Sequence, residues 1–155
     1  MAIITLLTDF GTADGYVAEL KGVLLTGAPG AMLVDASHDV APQDVDGARL
    51  ALARYWLRYP PGTVHLVVVD PGVGTDRPAI AVSSEGRGLV GPDNGVLTPA
   101  LLRAGARAVR LPIPARSAAT FHGRDVFAPA AARLAGGEAL DALGEPAEGC
   151  VLRRT

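Results

Sequence analysis

Short apolar runs and longer segments with helical spacing alternate along the first half of the chain. Residues 2–8, 31–34 and 63–69 are apolar runs rich in β-branched or aliphatic side chains, and each predicts a buried strand. Between these runs, apolar residues at helical spacing predict one helix that closes at residues 27–30 and another over about 44–59. This alternation of strands and helices is typical of an α/β domain.

The later part of the chain continues the alternation of strands and helices but adds a predicted hairpin. The predicted elements there are a hairpin pair at 78–84 and 87–90, a short helix from Thr98, a strand at 107–112 and a helix at about 124–134. The whole predicts a three-layer α/β domain in which helices flank a largely parallel central sheet. Polar loops follow the first three strands, and we expect them to share the carboxyl edge of the sheet, where such folds bind ligands.

Composition restricts the class of protein. The 155 residues carry 49% hydrophobic and 19% charged residues with a formal charge of −2, so the chain should fold as one domain. No Lys/Arg block is present, so we expect no nucleic-acid partner. No apolar run is long enough for a membrane span, and the single Cys150 fits a reducing cytoplasm.

The segment after the third predicted strand is the richest in candidate chemistry. Asp70 follows the strand directly, and Gly72 and Gly74 beside it allow close backbone approach to a ligand. Arg77 ends this segment and His122 stands in a later Gly-containing loop. Each of the three polar side chains also has a purely structural interpretation: a turn aspartate, a solvated arginine and a satisfied loop histidine.

Two further carboxylates have similar alternatives. Asp9 ends the first strand, where an acidic residue can bind a ribose diol, yet an Asp before a Gly is also common in plain turns. Asp14 could serve only as the N-cap of the first helix. The histidines, at positions 38, 65 and 122, do not have metal-ligand spacing, and His38 receives no role. Phosphate-binding glycine motifs and nucleophile-elbow motifs are absent.

Four motif blocks occur in order along nearly the whole chain. They are Thr8-Asp9-Phe10-Gly11 with Asp14-Gly15-Tyr16-Val17 and Lys21-Gly22, then Val69-Asp70-Pro71-Gly72-Val73-Gly74-Thr75 with Arg77, then Gly91-Pro92-Asp93-Asn94-Gly95, then Thr120-Phe121-His122-Gly123-Arg124-Asp125 with Phe127-Ala128-Pro129. In this combination the chain resembles the S-adenosylmethionine hydrolases, also called SAM hydroxide adenosyltransferases, which are relatives of the fluorinase and the chlorinase.

The resemblance implies hydrolysis of S-adenosylmethionine to adenosine and methionine by attack of water on ribose C5′. It implies that Asp70 orients or deprotonates the water, that His122 shares the proton, and that Arg77 holds the carboxylate by a bidentate contact. No metal or other cofactor is implied, because a sulfonium is already an activated leaving group. A halide-dependent transferase is the rival within the family, and the negative charge of Asp70 disfavours it because it would repel a halide.

The resemblance also implies the substrate-binding residues and the assembly. Asp9 would bind the ribose hydroxyls, whereas Asp14, Tyr16, Phe121 and Gly123 match positions that contact the methionine or ribose part. Family members have a second, carboxyl-terminal β-domain that completes the adenine pocket across a trimer. Residues 1–155 are expected to be one domain that matches the amino-terminal domain, with that β-domain absent. The further alternative is therefore an inactive nucleoside-binding or assembly module.

Overall fold

The computed structural model describes residues 2–73, 75–114 and 121–154. Within these ranges the strands are β1 (Ile3–Thr8), β2 (Met32–Ser37), β3 (Val64–Val68), β4 (Ala79–Ser84), β5 (Arg87–Pro92), β6 (Arg107–Leu111) and β7 (Glu145–Pro146). They form one sheet in the order β2-β1-β3-β5-β4-β6-β7. Gly74 and Thr120, which belong to the motifs above, lie outside the described residues.

The helices are α1 (Tyr16–Gly27), α2 (Val45–Tyr55), α3 (Thr98–Leu101) and α4 (Ala128–Ala135). Short 3₁₀ segments follow at Trp56–Arg58 and Leu140–Ala142, and a π-helical turn at Gly123–Phe127 leads directly into α4. The helix predicted over 44–59 thus begins after its N-cap, Asp44, whose carboxylate accepts from the Gly47 amide, and its last turn tightens to 3₁₀ geometry. None of the helices in the described ranges is long and apolar enough to cross a bilayer.

The prediction of a largely parallel sheet is wrong. Pairing is parallel for β1 with β2, β1 with β3 and β3 with β5, but antiparallel for β4 with β5, β4 with β6 and β6 with β7. The predicted hairpin accounts for the antiparallel pair of β4 and β5. Glu85 and Gly86 have φ angles of 51° and 75°, the left-handed conformation of a tight two-residue turn, and this turn reverses the chain between β4 and β5.

The three layers are as predicted, with helices on both faces of the sheet. One core cluster joins α1 and α4 to Ile4 and Leu6 of β1, whereas the other joins α2 and α3 to Leu7. Successive side chains of a strand point to opposite faces, so β1 contributes to both clusters. Because β2, β1 and β3 are adjacent and parallel, the loops that follow them lie along one edge of the sheet.

Candidate active site

A buried ion pair lies at the carboxyl end of β3. Nε of Arg77 is 3.0 Å from each carboxylate oxygen of Asp70, and Nη2 also donates to Oδ2. The amide of Gly72 donates to Oδ1 at 3.1 Å. The side chains of Asp70 and Arg77 are only 2% and 9% exposed, so both charges depend on this contact. A Cβ at Gly72 would lie 2.9 Å from Cγ of Arg77, which explains why glycine is needed there.

His122 completes the group through the same guanidinium. Nη2 of Arg77 lies 2.9 Å from Nδ1 of His122, and because a guanidinium only donates, Nδ1 accepts and the ring proton is assigned to Nε2. Burial and the positive charge of Arg77 lower the pKa of His122, against the opposing charges of Asp70 and Asp125. The arrangement therefore stabilises a neutral imidazole.

Arg77 is thus the centre of the group. Its guanidinium carbon also lies 5.3 Å from the ring centroid of Phe127, within range of a cation–π contact. Its remaining nitrogen, Nη1, is buried and has no hydrogen-bond partner among the residues that the structure describes. Buried donors are rarely left unbonded, so a water molecule or ligand atom is expected at Nη1.

Three of the predicted substrate-binding residues meet at the start of α1. The Tyr16 ring packs edge-on against Phe10 at 4.8 Å and lies 6.4 Å from Phe121. The Tyr16 hydroxyl accepts from the Arg124 amide at 3.1 Å, and a Cβ at Gly123 would lie 3.0 Å from that oxygen. Tyr16 therefore holds the π-helical turn that follows His122, because Gly123 is the first residue of that turn.

Asp9 and Asp14, in contrast, are engaged with backbone amides. Asp9 Oδ2 accepts from the Gln43 amide at 2.7 Å, across two loops, and Gln43 has a φ of 63°, which is unusual for a residue other than glycine. Asp14 Oδ1 accepts from the Tyr16 amide at 3.1 Å and so binds the first turn of α1, close to the capping role weighed above.

Sequence reasoning missed the role of His38. It is 6% exposed, with Nδ1 2.8 Å from the Thr8 hydroxyl and Nε2 2.6 Å from Asp35 Oδ1. Asp35 Oδ2 accepts in turn from Lys21, and the His38 carbonyl accepts from the Gly11 amide. His38 thereby contacts the chain on both sides of Asp9, at Thr8 and at Gly11. Its position directly after β2, at the edge where loops converge, was the only available signal.

Comparisons with known proteins show which family this chain belongs to. Residues 4–144 match the family described as SAM hydroxide adenosyltransferase N-terminal domain. A protein of Salinispora arenicola named (R)-S-adenosyl-L-methionine hydrolase is 50% identical over 151 residues, which cover 94% of this chain and 58% of that protein. A protein of Actinoplanes sp. named fluorinase is 31% identical over 173 residues, covering 92% of this chain and 57% of its own length.

A solved structure supports the fold. The crystal structure of an uncharacterized conserved protein from Thermotoga maritima superposes with a TM-score of 0.91 at 38% identity, covering 97% of this chain and 61% of that one. This chain thus spans about three fifths of the length of the relatives it matches. With a family match over 141 of its 155 residues (4 to 144 inclusive), the chain belongs to the SAM hydroxide adenosyltransferase family, in the region of its amino-terminal domain.

Proposed function

We propose that this chain hydrolyses S-adenosyl-L-methionine to adenosine and L-methionine. The observation that carries the proposal is the buried contact of Asp70, Arg77 and His122 at the sheet edge, in a chain whose relative is named for this reaction. That relative's name specifies the (R) configuration at sulfur, so the proposed substrate includes the (R) epimer.

The reaction balances without a metal or redox step. The oxygen of water forms a bond to ribose C5′ while the C5′–S bond breaks, and its electron pair stays on sulfur. Methionine leaves as a neutral thioether, and one proton of the attacking water passes to a base and then to solvent. Because the sulfonium is already activated, the protein has only to place the water and accept its proton.

The three side chains suit these tasks in different ways. Asp70 is the acceptor for the proton of the water, since it is the carboxylate of the group. Arg77 keeps that carboxylate in one orientation through two of its nitrogens. Neutral His122 adds no positive charge beside the sulfonium. Because its Nδ1 accepts from Arg77, its Nε2–H donates to the oxygen of the water, in place of the proton-sharing role that the resemblance implies.

The remaining parts of the proposal concern binding and assembly. Asp9 binds the ribose hydroxyls, and Asp14, Tyr16, Phe121 and Gly123 contact the methionine or ribose part. Phe121 and Gly123 flank His122 in sequence. The other three residues lie in, or directly after, the loop that follows β1 at the same sheet edge as Asp70, which supports the assignment. We further propose a cofactor-free cytoplasmic enzyme whose whole form is a homo-oligomer, a trimer as the family resemblance implies.

A direct assay with a matched pair of variants tests the proposal. The protein is incubated with each sulfur epimer of S-adenosylmethionine, and adenosine and methionine are quantified by chromatography. Asp70→Asn removes the proton acceptor, so adenosine formation should fall by about 10²–10⁴-fold. Asp76→Asn changes an exposed carboxylate of the same segment and should leave turnover at the wild-type level.

Three outcomes would overturn the proposal. Equal turnover by the wild type and Asp70→Asn would remove the carboxylate from the reaction, and absence of adenosine in all samples would favour the inactive nucleoside-binding module. Added chloride should not produce a halogenated adenosine, because a carboxylate beside the nucleophile site repels a halide. A chloride-dependent product would identify the chain as a transferase.

A further inference from the structure

One dipeptide contacts both ends of the segment that carries the ion pair. The Asn94 side-chain nitrogen Nδ2 donates to the carbonyl of Val69, the residue before Asp70, at 3.0 Å. The Asp93 amide donates to the carbonyl of Pro78, the residue after Arg77, at 2.9 Å. Residues 70–77 are therefore bracketed by hydrogen bonds from Asp93 and Asn94, which directly follow β5.

The Asn94 side chain is itself fixed in one orientation. Its Oδ1 accepts from the Val96 amide at 3.0 Å while Nδ2 donates to the Val69 carbonyl, so a flipped amide would lose both bonds. Val69 is fully buried, which makes its carbonyl costly to leave unbonded. β5 also approaches β3 closely, since a Cβ at Gly91 would lie 2.5 Å from the Val67 carbonyl oxygen.

We propose that Asn94 is a positioning residue for the Asp70–Arg77 ion pair. It touches neither side chain of the pair, and it acts by fixing the peptide from which Asp70 projects. Without that hydrogen bond the backbone at the end of β3 becomes more mobile. The Asp70 carboxylate is then no longer held in the single orientation that contacts both Nε and Nη2 of Arg77. The catalytic consequence rests on the proposed function, whereas the structural consequence does not.

The substitution Asn94→Asp removes the donor group Nδ2 and keeps an oxygen acceptor. The replacement is nearly isosteric, and one carboxylate oxygen can still accept from the Val96 amide. The other oxygen faces the Val69 carbonyl, so an attractive contact becomes a repulsive one. The primary readout is solvent exchange of the Arg77 Nε–H, followed by NMR, which should become faster by about tenfold or more as the ion pair loosens.

The chain supplies an internal reference and a control variant. The Arg87 Nε–H donates to the Tyr59 carbonyl at 3.2 Å, so its exchange in the same sample reports any general loss of stability. Ser84→Ala removes a buried side-chain bond to the Ala100 carbonyl, 2.8 Å long, without touching residues 69–78. This control should lower Tm while Arg77 exchange stays at the wild-type value.

A catalytic readout accompanies the structural one. In Asn94→Asp, kcat for adenosine formation should fall by about 10–100-fold with KM nearly unchanged, because the substrate contacts remain and only the alignment of the base is lost. If Asn94→Asp does not fold, Asn94→Ala, which removes the same donor, is measured in the same way.

The outcomes separate this inference from the proposed function. Faster exchange at Arg77 with Arg87 unchanged supports the positioning role even if the wild type forms no adenosine, a result that would refute the proposed function alone. Exchange at Arg77 that is unaltered, or that rises only in step with Arg87, overturns the positioning role whatever the activity.

Discussion

At the scale of single residues, Arg77 is the side chain that joins the members of the candidate site. It contacts a carboxylate and an imidazole at once, so one guanidinium orients Asp70 and adds to the effect of burial in lowering the pKa of His122. A lysine could not reproduce both contacts, because an ammonium lacks the planar fork of donors. The sequence singled out all three residues, and the resemblance implied the contact of Arg77 with Asp70. The 45 positions between Arg77 and His122 concealed that the same guanidinium also contacts His122.

The buried His65 should make the free energy of unfolding depend on pH. His65 in β3 is fully buried, with Nδ1 2.6 Å from the Thr5 hydroxyl and Nε2 donating to the Trp56 carbonyl at 3.0 Å. Burial lowers the pKa of His65 to about 4, against the hydrogen bond to Trp56, and the charge of Arg87 lowers it further. The sequence predicts a strand over 63–69, which includes this residue, and the structure confirms that placement.

Acid should destabilise the folded chain through His65, because the pKa of His65 is lower in the folded chain than in the unfolded chain. Between the unfolded value of 6.5 and about 4, the unfolded chain binds a proton at His65 and the folded chain does not, so stability is full above pH 6.5 and decreases as pH falls. From pH 7 to pH 5 this group should remove about 2 kcal/mol from the free energy of unfolding. Urea titrations at both pH values should show the loss in the wild type and a smaller loss in His65→Gln. Equal losses in the two proteins would contradict the assignment.

At the scale of elements, most strands and helices were predictable because their apolar periodicity is strong. The parallel direction of the first three strands was also predictable from their alternation with helices. Two features of the fold could not be predicted from the sequence. The hairpin at Glu85 and Gly86 was predicted, but its consequence, an antiparallel half of the sheet, depends on which strands β4 and β6 join. The π-helical turn after His122 has no periodic signature, since it arises from contacts such as the one between the Tyr16 hydroxyl and the Arg124 amide.

Two glycines of α1 provide a test of helix packing. Gly27, the last residue of α1, packs against α4 so closely that a Cβ would lie 2.8 Å from Cβ of Ala132. Gly22 lies on an open part of the same helix, where an added Cβ meets no atom within 4 Å. Gly27→Ala should therefore destabilise the protein by about 1–3 kcal/mol, because the helices must separate.

Gly22→Ala is the matched control for Gly27→Ala. It should stabilise the protein by about 0.5–1 kcal/mol, since alanine loses less backbone entropy in a helix. Thermal unfolding of the two variants beside the wild type should show Tm shifts of opposite sign. Shifts in the same direction would mean that the close packing of α1 against α4 at Gly27 does not determine the stability of this variant.

At the scale of the whole molecule, the sheet brings separate loops to one edge. Asp9 follows β1, His38 follows β2 and Asp70 follows β3, so parallel order alone places these three residues on that edge. Sequence reasoning predicted this convergence correctly. The capping alternative for Asp14 was also close to its observed contact with the Tyr16 amide. Sequence reasoning could not predict that Asp9 accepts from the Gln43 amide, or that Asp93 and Asn94 bracket the Asp70 segment, because these contacts depend on backbone geometry between distant loops.

The most direct test of the account is the origin of the oxygen on C5′ of the product. In S-adenosylmethionine, C5′ is bonded to sulfur, so an adenosine product must gain its 5′ oxygen from the attacking nucleophile. In water enriched in oxygen-18, mass spectrometry of the products should show one heavy oxygen in adenosine and none in methionine. Unlabelled adenosine, or 5′-methylthioadenosine in its place, would contradict attack of water on C5′ at the Asp70–Arg77–His122 site.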